Sequence, residues 1–169
     1  MGAPLTLLKA RLGLLSLFVL VIDQWTKQLA ETALAGRPPV TVVPGFIDLI
    51  HVENTGVAFG LFAAGSSPTG VLALTLLGMV ALALVLYYFW RTPESNRVVL
   101  VSLALILGGA VGNLVDRVMS GSVTDFIDVY VGTHHWPTFN AADSAITIGI
   151  VLLSIDALWV RRPAEPAGP

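Results

Sequence analysis

No cysteine occurs anywhere in the 169 residues. Disulfides, thiolate metal sites and a cysteine nucleophile are therefore excluded. Histidine is almost as scarce. His51, His134 and His135 are the only three, and none sits in an HExxH or comparable spacing, so neither a metal nor another cofactor is expected. Charge is the third shortage: 12% of the residues are charged, against roughly 25% in an ordinary soluble domain. The net charge of −2 offers no basic surface to a nucleic acid. No internal repeat is visible.

What the chain has instead is apolar length. Hydrophobic residues make up 55% of it, and the mean hydropathy is +0.81. The expectation is an all-α membrane protein: a four-transmembrane-helix bundle with a small β-rich extracytoplasmic cradle, forming a single integral domain over residues 1–169. The spans fall at about 12–34, 69–90, 98–116 and 141–160, each long enough for a hydrocarbon core about 30 Å thick.

The first span needs one decision. Ala33-Leu34-Ala35 resembles a signal-peptide cleavage site, but the apolar run stops at Ile22 and two charges, Asp23 and Lys27, intervene. The segment reads as retained. Asp23 and Lys27 are four apart, share a helix face and can pair.

Between the spans the sequence changes character. RPPVTVVPGFIDLIHVENTGVAFG, within the outer segment 36–65, is rich in β-branched residues and broken by Pro44-Gly45, which predicts one or two short strands at the membrane surface. RTPESNR, at 91–97, is a tight loop, and Tyr87, Tyr88 and Trp90 before it form an interfacial aromatic belt. Ala104, Gly108 and Gly112 recur every four residues, a stripe that lets another helix approach closely. The proline-rich tail, 163–169, is expected to be disordered.

Orientation follows from the basic residues. Lys9, Arg11, Arg91, Arg97, Arg161 and Arg162 fall on one side, six of the nine. By the positive-inside rule that side is the cytoplasm, with both termini and the 91–97 loop. The segments 36–65 and 117–139 then share the outer face.

Polar residues crowd one rim of that outer face. Asp116, Arg117, Asp125, Asp128 and Asp143 lie near the 117–139 insert, with Asn113 and Asn140 beside them. Ionisable groups held beside membrane spans are costly and usually mark chemistry or transport. Asp125 and Asp143 are the leading acid/base pair: two neighbouring carboxylates cannot both ionise easily, so one keeps a proton while the other activates water. Structural alternatives stand beside this. Asn140 and Asp143 also read as a helix capping box, and Asp125 as a solvated loop carboxylate. Asp128 competes with Asp125. Ser120, Ser122 and Ser144 have no matching base, and Asp156 lies at the other end of its span.

These residues carry a family resemblance. DQxxK (Asp23 to Lys27), ENTGVAFG (Glu53 to Gly60), GNLVDR (Gly112 to Arg117), VTDF (Val123 to Phe126) and FNAADS (Phe139 to Ser144), in that order within four spans, resemble the bacterial lipoprotein signal peptidase, or signal peptidase II, family. The resemblance implies an intramembrane aspartic endopeptidase of the bacterial cytoplasmic (inner) membrane. It would remove signal peptides from prolipoproteins just before a diacylglyceryl-modified cysteine. By motif, Asp125 and Asp143 would be catalytic. Asn54, Gly56, Asn113, Arg117 and Asn140 would line the site, and Asp23, Lys27 and Asp116 would support it. The implied partners are lipid-modified prolipoproteins and membrane lipid, with no nucleic acid and no obligate protein partner. Trp136-Pro137 stands where related sequences often have Phe-Pro. Two other classes compete: a small proton-coupled transporter using the rim aspartates, and a non-catalytic assembly or lipid-binding protein in which the carboxylates only cap helices and pair with Arg117 and Lys27.

Overall fold

The computed structural model describes residues 6–56 and 68–159. Outside the described residues lie the 163–169 tail, Arg161, Arg162, and the part of the 36–65 segment from Val57 onward, with the last four residues of the ENTGVAFG block.

Four helices and a small sheet make up the rest. Helix α1 spans Leu7–Leu34, α2 Pro68–Arg91, α3 Arg97–Met119 and α4 Ala141–Trp159. Strands β1 (Val40–Val43) and β2 (Ile47–Asn54) follow α1, while β3 (Val123–Val131) and β4 (His134–His135) lie between α3 and α4. The sheet is antiparallel, in the order β1-β2-β3-β4.

Three helices, α2, α3 and α4, are long and apolar enough to cross a membrane. The expectation of four spans is thus met in three, and the physical reason is local. Helix α1 is the longest at 28 residues, but its second half carries Asp23, Gln24, Lys27 and Gln28, which dilute its hydropathy.

Helix α3 is the hub, with α1, α2 and α4 all packed on it. The expected stripe explains how α1 does so. Ala104 is fully buried, and its carbonyl accepts a hydrogen bond from Ser16 Oγ at 2.8 Å. A side chain at Gly108 would run into the Ser16 carbonyl and Val19, and one at Gly112 into the Asp23 carboxylate. A neighbouring glycine, Gly109, takes the Ala142 carbonyl of α4 in the same way. Many large apolar side chains point outward, among them Leu72, Leu77, Val80 and Leu158, as suits a bundle whose solvent is lipid.

Helix α3 stops at Ser120, and Gly121 (φ +77°) turns the chain into β3, a backbone conformation a side chain would strain. The β4 segment then returns the chain to β3. Phe126 N and Ile127 N both donate to the Phe139 carbonyl, at 3.1 and 2.9 Å, and Phe139 N donates to the Ile127 carbonyl. That bridge sets Asn140 and the start of α4 beside the middle of β3.

Candidate active site

Asp125 is not a loop carboxylate, contrary to one expectation. It lies in β3, paired with Val52 of β2, while Asn54 pairs with Val123. Strand placement separates it from Asp128. Side chains alternate along a strand, so residues three apart face opposite ways. Asp125 turns inward at 2% exposure. Asn54 Nδ2 donates to its Oδ2 at 2.9 Å and Asn140 Nδ2 to its Oδ1 at 2.7 Å. Asp128 instead stands across from Asp48 of β2 and meets His135 Nδ1 at 2.9 and 3.0 Å.

Asp143 occupies the first turn of α4. Its backbone N–H donates to Asn140 Oδ1 at 2.9 Å, and Asn140 N donates back to Asp143 Oδ2 at 3.4 Å. The capping box is therefore real, yet it leaves Oδ1 for another partner: Asn113 Nδ2 donates to it at 2.7 Å. Capping and membership of the polar cluster coexist in one side chain. The helix N-terminus also favours its negative charge.

Three asparagines frame the two carboxylates, and each amide is held at its far end. Gly56 N donates to Asn54 Oδ1 at 3.0 Å, which turns Nδ2 toward Asp125. Asn113 Oδ1 accepts from Lys27 Nζ at 2.9 Å and from Asn140 Nδ2 at 3.2 Å, which turns its own Nδ2 toward Asp143. Asn140, fully buried, joins both aspartates. Because an amide has one acceptor end and one donor end, fixing the oxygen fixes the direction of donation.

Behind this lies the charge cluster of α1 and α3. Lys27 Nζ lies 2.8 Å from Asp23 Oδ2 and 2.7 Å from Asp116 Oδ2. Asp23 and Lys27 are 0% and 3% exposed. Asp23 Oδ1 accepts the Ala142 N–H at 2.8 Å, so it satisfies an otherwise orphaned donor of the first turn of α4. Sequence reasoning missed Gln24, whose Nε2 donates to Asp116 Oδ1 at 2.8 Å. It also missed Thr124, whose Oγ1 donates to Glu31 Oε1 at 2.8 Å and ties α1 to β3 one residue before Asp125. The helical spacing of Gln24 and Glu31 with Lys27 was the available signal.

A cleft of about 900 Å³ opens onto both aspartates. Its walls include Val52, Arg117, Trp136, Phe139 and Ile146, so it is apolar with a few convergent polar groups. Arg117 hydrogen-bonds the Asn113 carbonyl through Nη1 at 3.3 Å. Burial pushes the Asp125 carboxyl up to about 6. The Asn54 hydrogen bond opposes that rise, the charge of Asp143 adds to it, and Asn140 and Lys27 oppose it. A carboxyl that holds its proton that far above the usual range can donate to a carbonyl oxygen while a charged neighbour accepts a proton from water.

Comparison with known proteins identifies a family. A family model described as signal peptidase (SPase) II matches residues 15–159. A lipoprotein signal peptidase from Desulforapulum autotrophicum is 41% identical over 153 residues, covering 90% of this chain and 94% of that protein. Another from Acinetobacter baumannii is 43% identical over 150 residues, covering 88% and 83%. Two solved structures of bacterial membrane enzymes superpose with TM-scores of 0.77 and 0.75, at 31% and 30% identity. The first comparison covers 90% of this chain and 95% of that one, the second 98% of each. A transporter finds no support among these relatives.

Proposed function

This chain belongs to the signal peptidase II family, and on that premise we propose that it is an aspartic endopeptidase whose working pair is Asp125 and Asp143. It cleaves signal peptides from prolipoproteins, in keeping with the name its relatives carry, lipoprotein signal peptidase. The observation that carries the proposed mechanism is the framing of two carboxylates by three oriented asparagines in one apolar cleft.

In the proposed step, one aspartate takes a proton from water as the water oxygen bonds to the scissile carbonyl carbon. The other, protonated, hydrogen-bonds the carbonyl oxygen and stabilises the charge that develops there. The tetrahedral intermediate collapses with cleavage of the C–N bond, and the proton taken from water passes to the leaving nitrogen. Asn54 and Asn140 hold Asp125 during this, Asn113 holds Asp143, and Arg117 and Gly56 border the peptide backbone. The scissile bond lies just before a cysteine carrying diacylglycerol.

The chain is an integral inner-membrane protein. We further propose that α1 is a fourth span, both termini are cytoplasmic and the site opens at the outer face. Helix α1 is about 42 Å long, more than the roughly 30 Å core requires. Its polar residues Asp23 and Lys27 are buried against the bundle, while Leu14, Leu17, Phe18, Val21 and Trp25 are among the exposed ones. A substrate with an apolar helix and acyl chains then arrives laterally through lipid.

The test is direct. Purified protein is incubated with a lipid-modified prolipoprotein and with its unlipidated precursor, and cleavage is followed by a gel shift. The proposal expects cleavage of the lipidated form. No product from either substrate by folded protein would overturn it.

A further inference from the structure

At the end of the bundle remote from the aspartates, a groove of about 510 Å³ separates α1 from α2. Leu17 and Leu20 line one wall, Leu82 and Leu86 the other, and Leu107 and Gly108 of α3 form the floor. Its lining is almost wholly apolar. The groove has room: a Cβ placed on Gly13 would meet nothing within 4 Å.

Its mouth is different. Lys9 is 6% exposed. Its Nζ donates to the Trp90 carbonyl at 2.8 Å and lies 5.8 Å from the centroid of the Trp90 ring. Among the described residues no carboxylate stands within ion-pair distance of it. Lysine is almost never this buried without a partner anion. The Trp90 carbonyl, near the end of α2, offers only a partial negative charge and takes one of three ammonium donors. Arg11, Arg91 and Arg97 add exposed positive charge at the same end.

The length of the groove identifies the scale of its occupant. From Lys9 to Leu20 helix α1 rises about 16 Å, close to half of the roughly 30 Å hydrocarbon core. The groove is therefore one leaflet deep, with a tryptophan at the level where such rings meet the headgroups.

We propose that this groove holds one acyl chain of an anionic phospholipid, with the lipid's phosphate group paired to Lys9. The acyl chain fills the space between α1 and α2, both of which pack on α3 and which meet each other at the groove mouth through Lys9 and Trp90. The phosphate supplies the counter-charge that the described residues do not. This site would sit at the membrane face opposite the cleavage site.

The experiment is native mass spectrometry of the full chain in detergent, with phosphatidylglycerol and phosphatidylcholine of identical acyl chains offered together. Wild-type protein should retain one lipid, with about a fivefold preference for phosphatidylglycerol, the scale of one lysine near an anionic headgroup. Lys9→Gln should lose the preference, and Lys9→Arg should keep it. Gly13→Leu should fill the groove and lose retention of both lipids; Leu86→Trp makes the same test from the other wall if Gly13→Leu fails to fold. Equal retention of the two lipids by wild type, an unchanged preference in Lys9→Gln, displacement by inorganic phosphate alone, or a dimer that excludes lipid would each overturn the proposal.

Discussion

Lys27 Nζ lies 2.9 Å from Asn113 Oδ1, and this contact, with the longer one from Asn140 Nδ2 at 3.2 Å, decides which end of the Asn113 amide faces Asp143. Held at its oxygen, the amide presents Nδ2, which donates to Asp143 Oδ1 at 2.7 Å. One lysine thus links a buried charge cluster to the candidate dyad through a single side chain.

Lys27→Met should act in two separable ways. Removing the ammonium leaves the buried Asp23 carboxylate unpaired beside the partly buried Asp116, a loss on the order of 3–5 kcal/mol that should appear as less folded protein. Adding Asp23→Asn should recover much of that loss, since asparagine keeps an acceptor for the Ala142 N–H. The Asn113 amide would keep only the longer bond from Asn140 Nδ2, at 3.2 Å, so the double variant should cleave at least about tenfold more slowly. Folding yield and turnover of purified protein measure the two effects. Full turnover in the double variant would show that Lys27 serves only the ion pair.

The glycines of the helix contacts should rank by what a methyl group would meet. At Gly109 it would strike the Ala142 carbonyl, which is backbone, and at Gly112 the buried Asp23 carboxylate. Each alanine there should cost about 1–3 kcal/mol, the usual range for overpacking. Gly13→Ala meets nothing within 4 Å and should be neutral or slightly stabilising, since alanine is the better helix former. Thermal unfolding in detergent tests the ranking.

The raised Asp125 carboxyl sets a pH dependence whose sign can be worked out. With Asp143 charged, Asp125 keeps its proton up to about 6. The proposed pair needs one proton, so kcat/KM should fall as pH rises through that value, by about tenfold per unit well above it. Bound substrate removes water from the cleft, so the same limb in kcat should move to higher pH. Because the folded value lies above the unfolded one, the stabilising contribution is present at low pH and lost as pH rises through about 6. Wild type should therefore lose more stability than Asp125→Asn between about pH 4 and pH 7. An identical pH profile for the two proteins would contradict this.

Topology gives an independent check. A reporter fused after Trp90 should report the cytoplasm, and one near Gly132 the outer side. The opposite result at either position would break the proposal that β3 and the start of α4 meet at the outer face.

Much of the bundle was legible because apolar length and a four-residue period of small residues are local properties. The spans α2, α3 and α4 and the stripe that receives α1 follow from them. Strand β3 was not read, although VTDFIDVYV is rich in β-branched and aromatic residues. Its identity depends on pairing with β2, about 70 to 80 residues earlier in sequence, and no local pattern encodes that register. The distinction between Asp125 and Asp128 was hidden with it, since two aspartates three apart look alike until the strand turns them to opposite faces. Helical spacing places Gln24 and Glu31 on the face of Lys27, but it does not name their partners. Their partners, Asp116 and Thr124, come from other elements. The Asn140–Asp143 capping box was legible because both partners lie within one turn.

The central claim is that Asp125 and Asp143 act together on the scissile bond, and substitution by asparagine tests it most directly. Asparagine keeps the size of the side chain but can neither accept nor return the proton. Asp125→Asn and Asp143→Asn should each lower cleavage of a lipid-modified prolipoprotein by more than the roughly 10²–10⁴ of general acid/base help, with substrate binding and folding retained. If Asp143 only capped α4, asparagine there would cost under about 1 kcal/mol and turnover would persist. Asp128→Asn, whose carboxylate meets His135 and not the cleft, should keep most of its activity in the same assay. Wild-type-like cleavage by both Asp125→Asn and Asp143→Asn, or a dead Asp128→Asn beside an active Asp125→Asn, would contradict the assignment.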